Sequence, residues 1–358
     1  MGGLLPAACR DRTAGPPLVD QGSPTLRVVL ERRRRERCIL PGVLLIVGSV
    51  ALTTACGGGD AGSDAERPPT STSSPQPTAD VSDSPTVEPS PARPGPLQVA
   101  VAVRAVHHLA GEIGPRHATS LAFRRAARWL TGRLQDAGYA VHSQRFPVPG
   151  GNSWGVPVTS GPSMNVVATP RGFDPTRPHL LVGAHLDTVP PSPGAEDDAS
   201  GIGVLLMLAD SLAGSGTLGR LPVVLVGFGA EEPRGPTDAD HHYGSRAYVA
   251  ALSAAERRAV RGMLALDRVG VGTVVPVCSA GDEAARAQVV RAGRRAGVPM
   301  QPCLNRSNDA WSFVERDLPG VRVGGTSYAA YHSATDLPSV VNPAQLSRTA
   351  RLVLAWLR

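Results

Sequence analysis

Several short apolar runs in this chain end in titratable residues, and that pattern limits the fold more than any other feature. SMNVVAT (163–169), HLLVGAH (179–185), VVLVGFG (223–229), MLALD (263–267) and VRVGGT (321–326) are Val- and Leu-rich, and each has the length of a buried strand. Helical spacing of apolar residues separates several of them, as in GIGVLLMLADSLAG (201–214) and AARAQVVRAGRRAG (284–297). Upstream, LQVAVAVRAVHHLAGEI (97–113), ended by Gly114-Pro115, and SLAFRRAARWLTGRLQDAG (120–138), closed by Gly138, read as two further helices. Alternation of this kind predicts an α/β fold: a mixed, largely parallel central sheet with helices on both faces. Aromatics are only 4% of the chain, so its core must be built mainly from Val, Leu and Ala. No internal repeat is visible.

Ligands of open α/β sheets gather at the carboxyl ends of the strands. Here those ends are polar. HLLVGAH closes on His185 and runs into Leu186-Asp187, VVLVGFG into Ala230-Glu231-Glu232, and MLAL into Asp267. The last run leads to Tyr331-His332, and Glu196-Asp197-Asp198-Ala199-Ser200-Gly201 opens a helix between the first two ends. Two histidines and several carboxylates on one rim form a zinc donor set with positions left for water. Taken singly, each has a plainer reading. His185 fits a satisfied strand histidine, Glu231-Glu232 a solvated strand end, and Asp197-Asp198 a helix cap. The pairs His107-His108 and His241-His242 do not read as metal sites. Neighbours on a helix face apart, and the second pair lies in a polar loop. No Gly-rich phosphate cradle follows a strand.

GAHLDTV (183–189), AEDDASG (195–201), GAEE (229–232), LALD (264–267) and YHSATD (331–336) stand together in that order. In this arrangement the chain resembles the dinuclear zinc aminopeptidase family, which includes secreted bacterial leucyl aminopeptidases and the glutamate carboxypeptidase group. The resemblance covers about residues 100–358 and implies the three-layer sandwich of the phosphorylase/hydrolase type. It implies two Zn2+ per chain, with His185 and Asp267 on one ion, Glu232 and His332 on the other, and Asp197 bridging. Glu231 would be the base that activates a hydroxide shared by the ions. Asp187 would accept the second N–H of His185. Asp336 would do similar work near His332. Tyr331 would donate to the tetrahedral oxyanion, with a packing role as its alternative. The substrate would be a peptide or small amide cut at its free N-terminus. Alternatives left open are a carboxypeptidase or other small-amide hydrolase, a glutaminyl cyclase, and a non-catalytic binding domain.

The chain departs from that family in three places. PRGPTDADHHY (233–243) lengthens the loop after the paired glutamates and would edge the site. Arg268 follows Asp267 where an apolar residue is usual. It either faces the cleft and favours an acidic group, points to the surface, or pairs with Glu196. Asn308-Asp309-Ala310 replaces a Ser-Asp-His segment, leaving Asp309 or Arg306 as candidates near the substrate's α-amine or nearby loops. Cys278 and Cys303 flank one helix in apolar segments and are a disulfide candidate.

The N-terminal part reads differently. Arg32-Arg33-Arg34-Arg35-Glu36-Arg37 precedes an apolar run, 38–55, and the small residues Thr53-Thr54-Ala55 lead to Cys56. This is a signal-peptide pattern over 32–56, and it resembles a bacterial lipoprotein signal lipidated at Cys56. Plain cleavage and a retained anchor are the alternatives. Residues 1–31 look like an unstructured leader, with translation starting near Val28 or Val29 as one reading. Residues 57–96, rich in Gly, Ser, Thr and Pro, read as a disordered tether, leaving 97–358 as the peptidase domain. The expected location is the outer face of the cytoplasmic membrane, or the exterior. All 36 basic residues are Arg; eight of them and four of the 30 acids precede Cys56, so the remainder carries 28 against 26. A net +2 gives no electrostatic footprint for nucleic acid. The only membrane contact expected is the lipid anchor, and the chain is expected to be a monomer.

Overall fold

The runs read as strands form the middle of a sheet. β1 (Ala140–Val148), β2 (Gly151–Ser153), β3 (Val156–Val158), β4 (Gly161–Thr169), β5 (His179–His185), β6 (Val223–Phe228), β7 (Val260–Leu266), β8 (Val275–Ser279), β9 (Met300–Leu304) and β10 (Gly320–Val323) are the strands of this computed structural model. It describes residues 94–212 and 221–358. The signal region, Cys56 and the tether up to residue 93 lie outside the described residues.

Eight strands form one mixed sheet in the order β1-β4-β6-β5-β7-β10-β8-β9, while β2 and β3 make a separate hairpin. The central strands β6, β5, β7 and β10 run parallel to one another, β8 and β9 run parallel as a pair, and β1, β4 and the β10–β8 contact are antiparallel. All the carboxyl ends of the central strands therefore open on one rim.

Period-two alternation divides the core. In β6, Val223 and Leu225 enter the larger apolar cluster, whereas Val224, Val226 and Phe228 enter the smaller cluster on the opposite face. The helices are α1 (Val99–Val106), α2 (Leu121–Asp136), α3 (Ser200–Leu212), α4 (Tyr243–Ala251), α5 (Ala254–Ala259), α6 (Glu283–Arg295), α7 (Asp309–Val314) and α8 (Pro343–Leu357). Residues of α1, α2, α3, α6 and α8 join the larger cluster, and residues of α4 and α7 the smaller. The sheet is thus covered on both faces, as the alternation of runs predicts.

Local chemistry explains the elements nearest the site. In α2, Ser120 accepts the Phe123 N–H as N-cap, Phe123, Ala126, Ala127, Leu130 and Leu134 form the buried stripe, and Gly138 closes the helix at φ +89°. α3 is apolar nearly all round and buried along almost its whole length. The β2–β3 turn is Trp154-Gly155, with φ of +49° and +81°, the backbone that a tight two-residue hairpin requires. Gly151 anchors that hairpin: a Cβ there would lie 1.9 Å from the Arg234 carbonyl oxygen. No helix among the described residues is long and apolar enough to cross a membrane.

Candidate metal centre

His185 ends β5, Glu231 and Glu232 follow β6, and Asp267 follows β7, so the parallel register delivers four titratable side chains to the rim. Asp197 comes from the turn before α3, and His332 from the loop between β10 and α8. Asp197 is the centre of the arrangement. Its Oδ1 lies 3.0 Å from His185 Nε2 and its Oδ2 lies 3.1 Å from His332 Nε2. Glu232 Oε2 stands 3.3 Å from the same His332 nitrogen. One carboxylate thus spans two imidazoles, with a second carboxylate beside one of them. All these groups are nine-tenths buried or more.

The two acids of the Asp197-Asp198 turn divide the work. Asp198 Oδ1 accepts the Gly201 N–H at 2.9 Å, capping α3, and the Arg268 N–H at 3.2 Å. Asp197 is left free for the imidazoles. Asp336 holds the turn from the other side, accepting the N–H groups of Glu196 and Asp197 at 2.9 and 3.2 Å and the Tyr328 hydroxyl at 2.9 Å. It acts on the backbone of Asp197 rather than on the His332 ring.

Asp187 differs from the sequence reading in the same way. The His185 Nδ1 lies 3.1 Å from the backbone oxygen of Asp187, whereas the carboxylate Oδ1 is 3.9 Å away. The carboxylate accepts the Glu231 and Glu232 N–H groups at 3.0 and 3.3 Å instead. A side chain two residues beyond His185 leans across to β6, and the carbonyl alone stays within reach of the ring.

The electrostatics are those of crowded carboxylates. Burial, with Asp267, Asp197 and Asp187 nearby, pushes the Glu231 carboxyl up to about 8 against the pull of His185. Burial, with Asp197 and Glu231, pushes Glu232 up to about 7 against His332. Burial would raise Asp197 too, yet the flanking imidazoles hold it far below the usual carboxylate range. Burial would lower His332, but Glu232 and Asp197 raise it to about 10. The buried Glu232 Oε1 and His332 Nδ1 have no hydrogen-bond partner. One ligand atom each from His185, Asp197 and Glu232 falls within 4.8 Å of the others. Convergent donors, an orphaned carboxylate oxygen and mutual repulsion that a cation would relieve fit a divalent metal.

Asp197, Glu231, Glu232, His332 and Asp267 line a cavity of about 340 Å3, but the Asp267 Oδ1 carries two guanidiniums, Arg322 Nη2 at 3.0 Å and Arg268 Nε at 3.5 Å. Arg268 also stacks over the Tyr331 ring, 4.4 Å from its centroid. It faces the cavity and does not pair with Glu196, whose carboxylate accepts the Gly270 and Val271 N–H groups. Tyr331 stacks on His332 with centroids 3.7 Å apart, and Trp154 of the hairpin meets the His332 ring edge-on at 4.4 Å. Asp309 lies behind the cavity, not in its lining. It is buried at the start of α7, near Ser245 and His242, and burial with Glu231 pushes it up to about 7. Arg306 stacks on Trp311 at 4.8 Å. Neither residue reaches the lining from which a substrate amine would be held.

His242, read from the sequence as part of a polar loop and not as a metal site, lies deep beside Glu231. His242 Nε2 lies 3.2 Å from Glu231 Oε1, and both of its ring nitrogens are buried. Its depth comes from α4 docking on the end of β6, where a Cβ on Gly244 would stand 2.1 Å from the Gly229 oxygen. His241, beside it, lines the cavity with Pro233, so the long loop after Glu232 does edge the site. His108 stacks on Trp129 and lies 2.6 Å from Glu112, away from any metal donor set. Cys278 and Cys303 face each other in register on β8 and β9 and are joined as a disulfide.

The sequence profile of peptidase family M28 matches residues 165–357, more than half of the chain. An uncharacterized protein of Escherichia coli K12, YfbL, is 31% identical over 176 residues, 47% of this chain and 48% of that protein. The match thus spans about half the length of this curated relative. Among solved structures, the zinc aminopeptidase BSAP of Bacillus subtilis superposes with a TM-score of 0.63 at 18% identity, covering 73% of this chain and 94% of that one. A glutaminyl cyclase of Porphyromonas gingivalis gives the same TM-score at 20% identity, covering 73% and 98%. At such identities these two similarities establish a shared fold and nothing finer.

Proposed function

Because the chain belongs to peptidase family M28, we propose that it is an exported zinc-dependent aminopeptidase that hydrolyses the first peptide bond of substrates with a free N-terminus. The observation that carries this reading is the Asp197 carboxylate held between the Nε2 atoms of His185 and His332, with Glu232 alongside. His185 and Asp267 would hold one zinc, Glu232 and His332 the other, with Asp197 shared. Zinc bound there supplies Lewis-acid polarisation of the scissile carbonyl and lowers the pKa of water.

The chain's own residues do the rest. Glu231, set beside the donors and raised in basicity by burial, takes a proton from the attacking water and passes it to the leaving amine. Asp187 fixes the backbone from which both glutamates project. The Tyr331 hydroxyl is the donor for the developing oxyanion. Trp154 and the loop after Glu232 wall the cavity and exclude water around the bound N-terminus. The basic cluster and apolar run before Cys56 support export with a lipid anchor at that cysteine, and the polar stretch that follows supports a tether to a peptidase domain over 97–358. The enzyme acts as a monomer.

A glutaminyl cyclase is the second reading, favoured by the fold shared with the Porphyromonas enzyme. The complete set of two histidines and three carboxylates favours hydrolysis. Aminoacyl 4-nitroanilides, N-acetylated controls and an N-terminal glutaminyl peptide separate the two, each assayed before and after chelation and zinc return. Chelator-sensitive release from free but not acetylated substrates is expected. Release of ammonia from the glutaminyl side-chain amide, with every peptide bond intact, would replace the peptidase reading with the cyclase.

A further inference from the structure

Arg322 is a guanidinium inside a β-sheet. Its neighbours Val321 and Val323 enter the larger apolar cluster, so alternation turns Arg322 to the other face, where it reaches the cavity. Its side chain is 2% exposed, yet its hydrogen bonding is incomplete. Nη2 meets Asp267 Oδ1 at 3.0 Å, Nη1 donates to the Ser307 carbonyl at 3.4 Å, and Nε has no partner. Arg268 approaches the same Asp267 oxygen through Nε at 3.5 Å and lies over the Tyr331 ring.

Two guanidiniums therefore converge on one carboxylate that is also a candidate metal donor. Asp267 Oδ1 meets one nitrogen of each, and Arg322 Nε is left buried without an acceptor, which is costly. Asn305 and Ser307 line the cavity beside them. A guanidinium presents its donors as a planar fork matched to a carboxylate. We infer that Arg268 and Arg322 form a carboxylate-recognising subsite beside the metal centre, so that the preferred substrates carry an anionic group next to the scissile bond. The inference rests on the peptidase reading and deepens it by naming the substrate class. The carboxylate has two sources, the side chain of an N-terminal Glu or Asp, or the free C-terminus of a dipeptide.

The test uses the full zinc-loaded chain. kcat/KM is measured for Glu- and Gln-4-nitroanilide, which differ in charge but hardly in shape, and for Leu-Gly against Leu-Gly-amide. A preference of at least tenfold for Glu over Gln assigns the side chain, and the same preference for Leu-Gly over its amide assigns the C-terminus. Arg268→Met is expected to cut the favoured ratio at least tenfold, chiefly through KM, and Arg268→Lys to restore part of it. Arg268 is chosen because it stands on the cavity wall, whereas Arg322→Met risks the sheet itself. Equal rates in both pairs would overturn the subsite even with the peptidase reading intact. Should no substrate be cleaved, the peptidase reading fails, and calorimetric binding of L-glutamate against L-glutamine, and of Leu-Gly against Leu-Gly-amide, decides the subsite. Tighter binding of the carboxylate member of either pair, weakened tenfold by Arg268→Met, upholds it. Equal affinities in both pairs overturn it.

Discussion

Arg116 and Arg322 are buried to nearly the same degree, 0% and 2% exposed, and are bonded in opposite ways. Arg116 lies under the loops that follow β5. Its guanidinium donates to five backbone oxygens, those of Leu186, Pro193, Gly194, Leu109 and Gly114, at 2.6 to 3.3 Å. Burial lowers its pKa to about 10, while Asp187, Asp198, Asp336 and Asp197 pull the other way. Arg322 has one carboxylate oxygen, one long contact to a carbonyl and a free Nε, and it faces a cavity. A buried cation in which every nitrogen has an acceptor holds a structure together, whereas one with a nitrogen in reserve is prepared for a ligand.

The chemistry should depend on neither arginine directly, and Glu231→Gln sets the scale. Turnover is expected to fall by about 10²–10⁴-fold with metal content unchanged, read by steady-state kinetics beside elemental analysis. A full rate in that variant would remove Glu231 as the base. Arg116→Met isolates the structural arginine. Five carbonyls lose a charged donor, and a loss of roughly 3 kcal/mol or more in urea unfolding is expected, with the Glu-to-Gln substrate ratio unmoved. A change in that ratio instead would erase the distinction drawn between the two guanidiniums. The disulfide probes the surroundings of the other arginine, because Cys278 is the register partner of Arg322 as well as of Cys303. Closing a loop of 25 residues is worth about 3 kcal/mol, so thermal unfolding with and without reductant should differ by several degrees. Asp187→Asn sharpens the contrast at the rim. Weakening its grip on the glutamates should cost about 10–100-fold in metal affinity, measured by competition with a chromophoric chelator.

The residues that end apolar runs were legible because burial and chemistry sit next to each other in the chain. VVLVGFG must be a strand, and its next polar residues must be at its rim. Arg322 left the same kind of signal, a charge within VRVGG where alternation leaves few places for it to go. Strands β1, β2 and β3 left little, since they are short or half-exposed antiparallel edges without a continuous apolar run. His242 read as loop surface because nothing local records how deeply α4 seats against β6. Asp187 was expected to accept from the His185 ring, whereas its carboxylate accepts the Glu231 and Glu232 N–H groups. Spacing along the chain cannot say whether an imidazole meets a neighbour's side chain or that neighbour's own carbonyl.

That misplaced partner changes how signatures of this kind should be counted. The histidine-aspartate motif after β5 and the paired glutamates after β6 are bound into one unit by the two N–H groups that Asp187 accepts. A homologous chain that kept all five proposed donor letters and lost Asp187 would pass a search by motif with the proposed base and one proposed donor unmoored. Covariation between the position of Asp187 and the two after β6 would report an intact site more faithfully than the donor letters themselves.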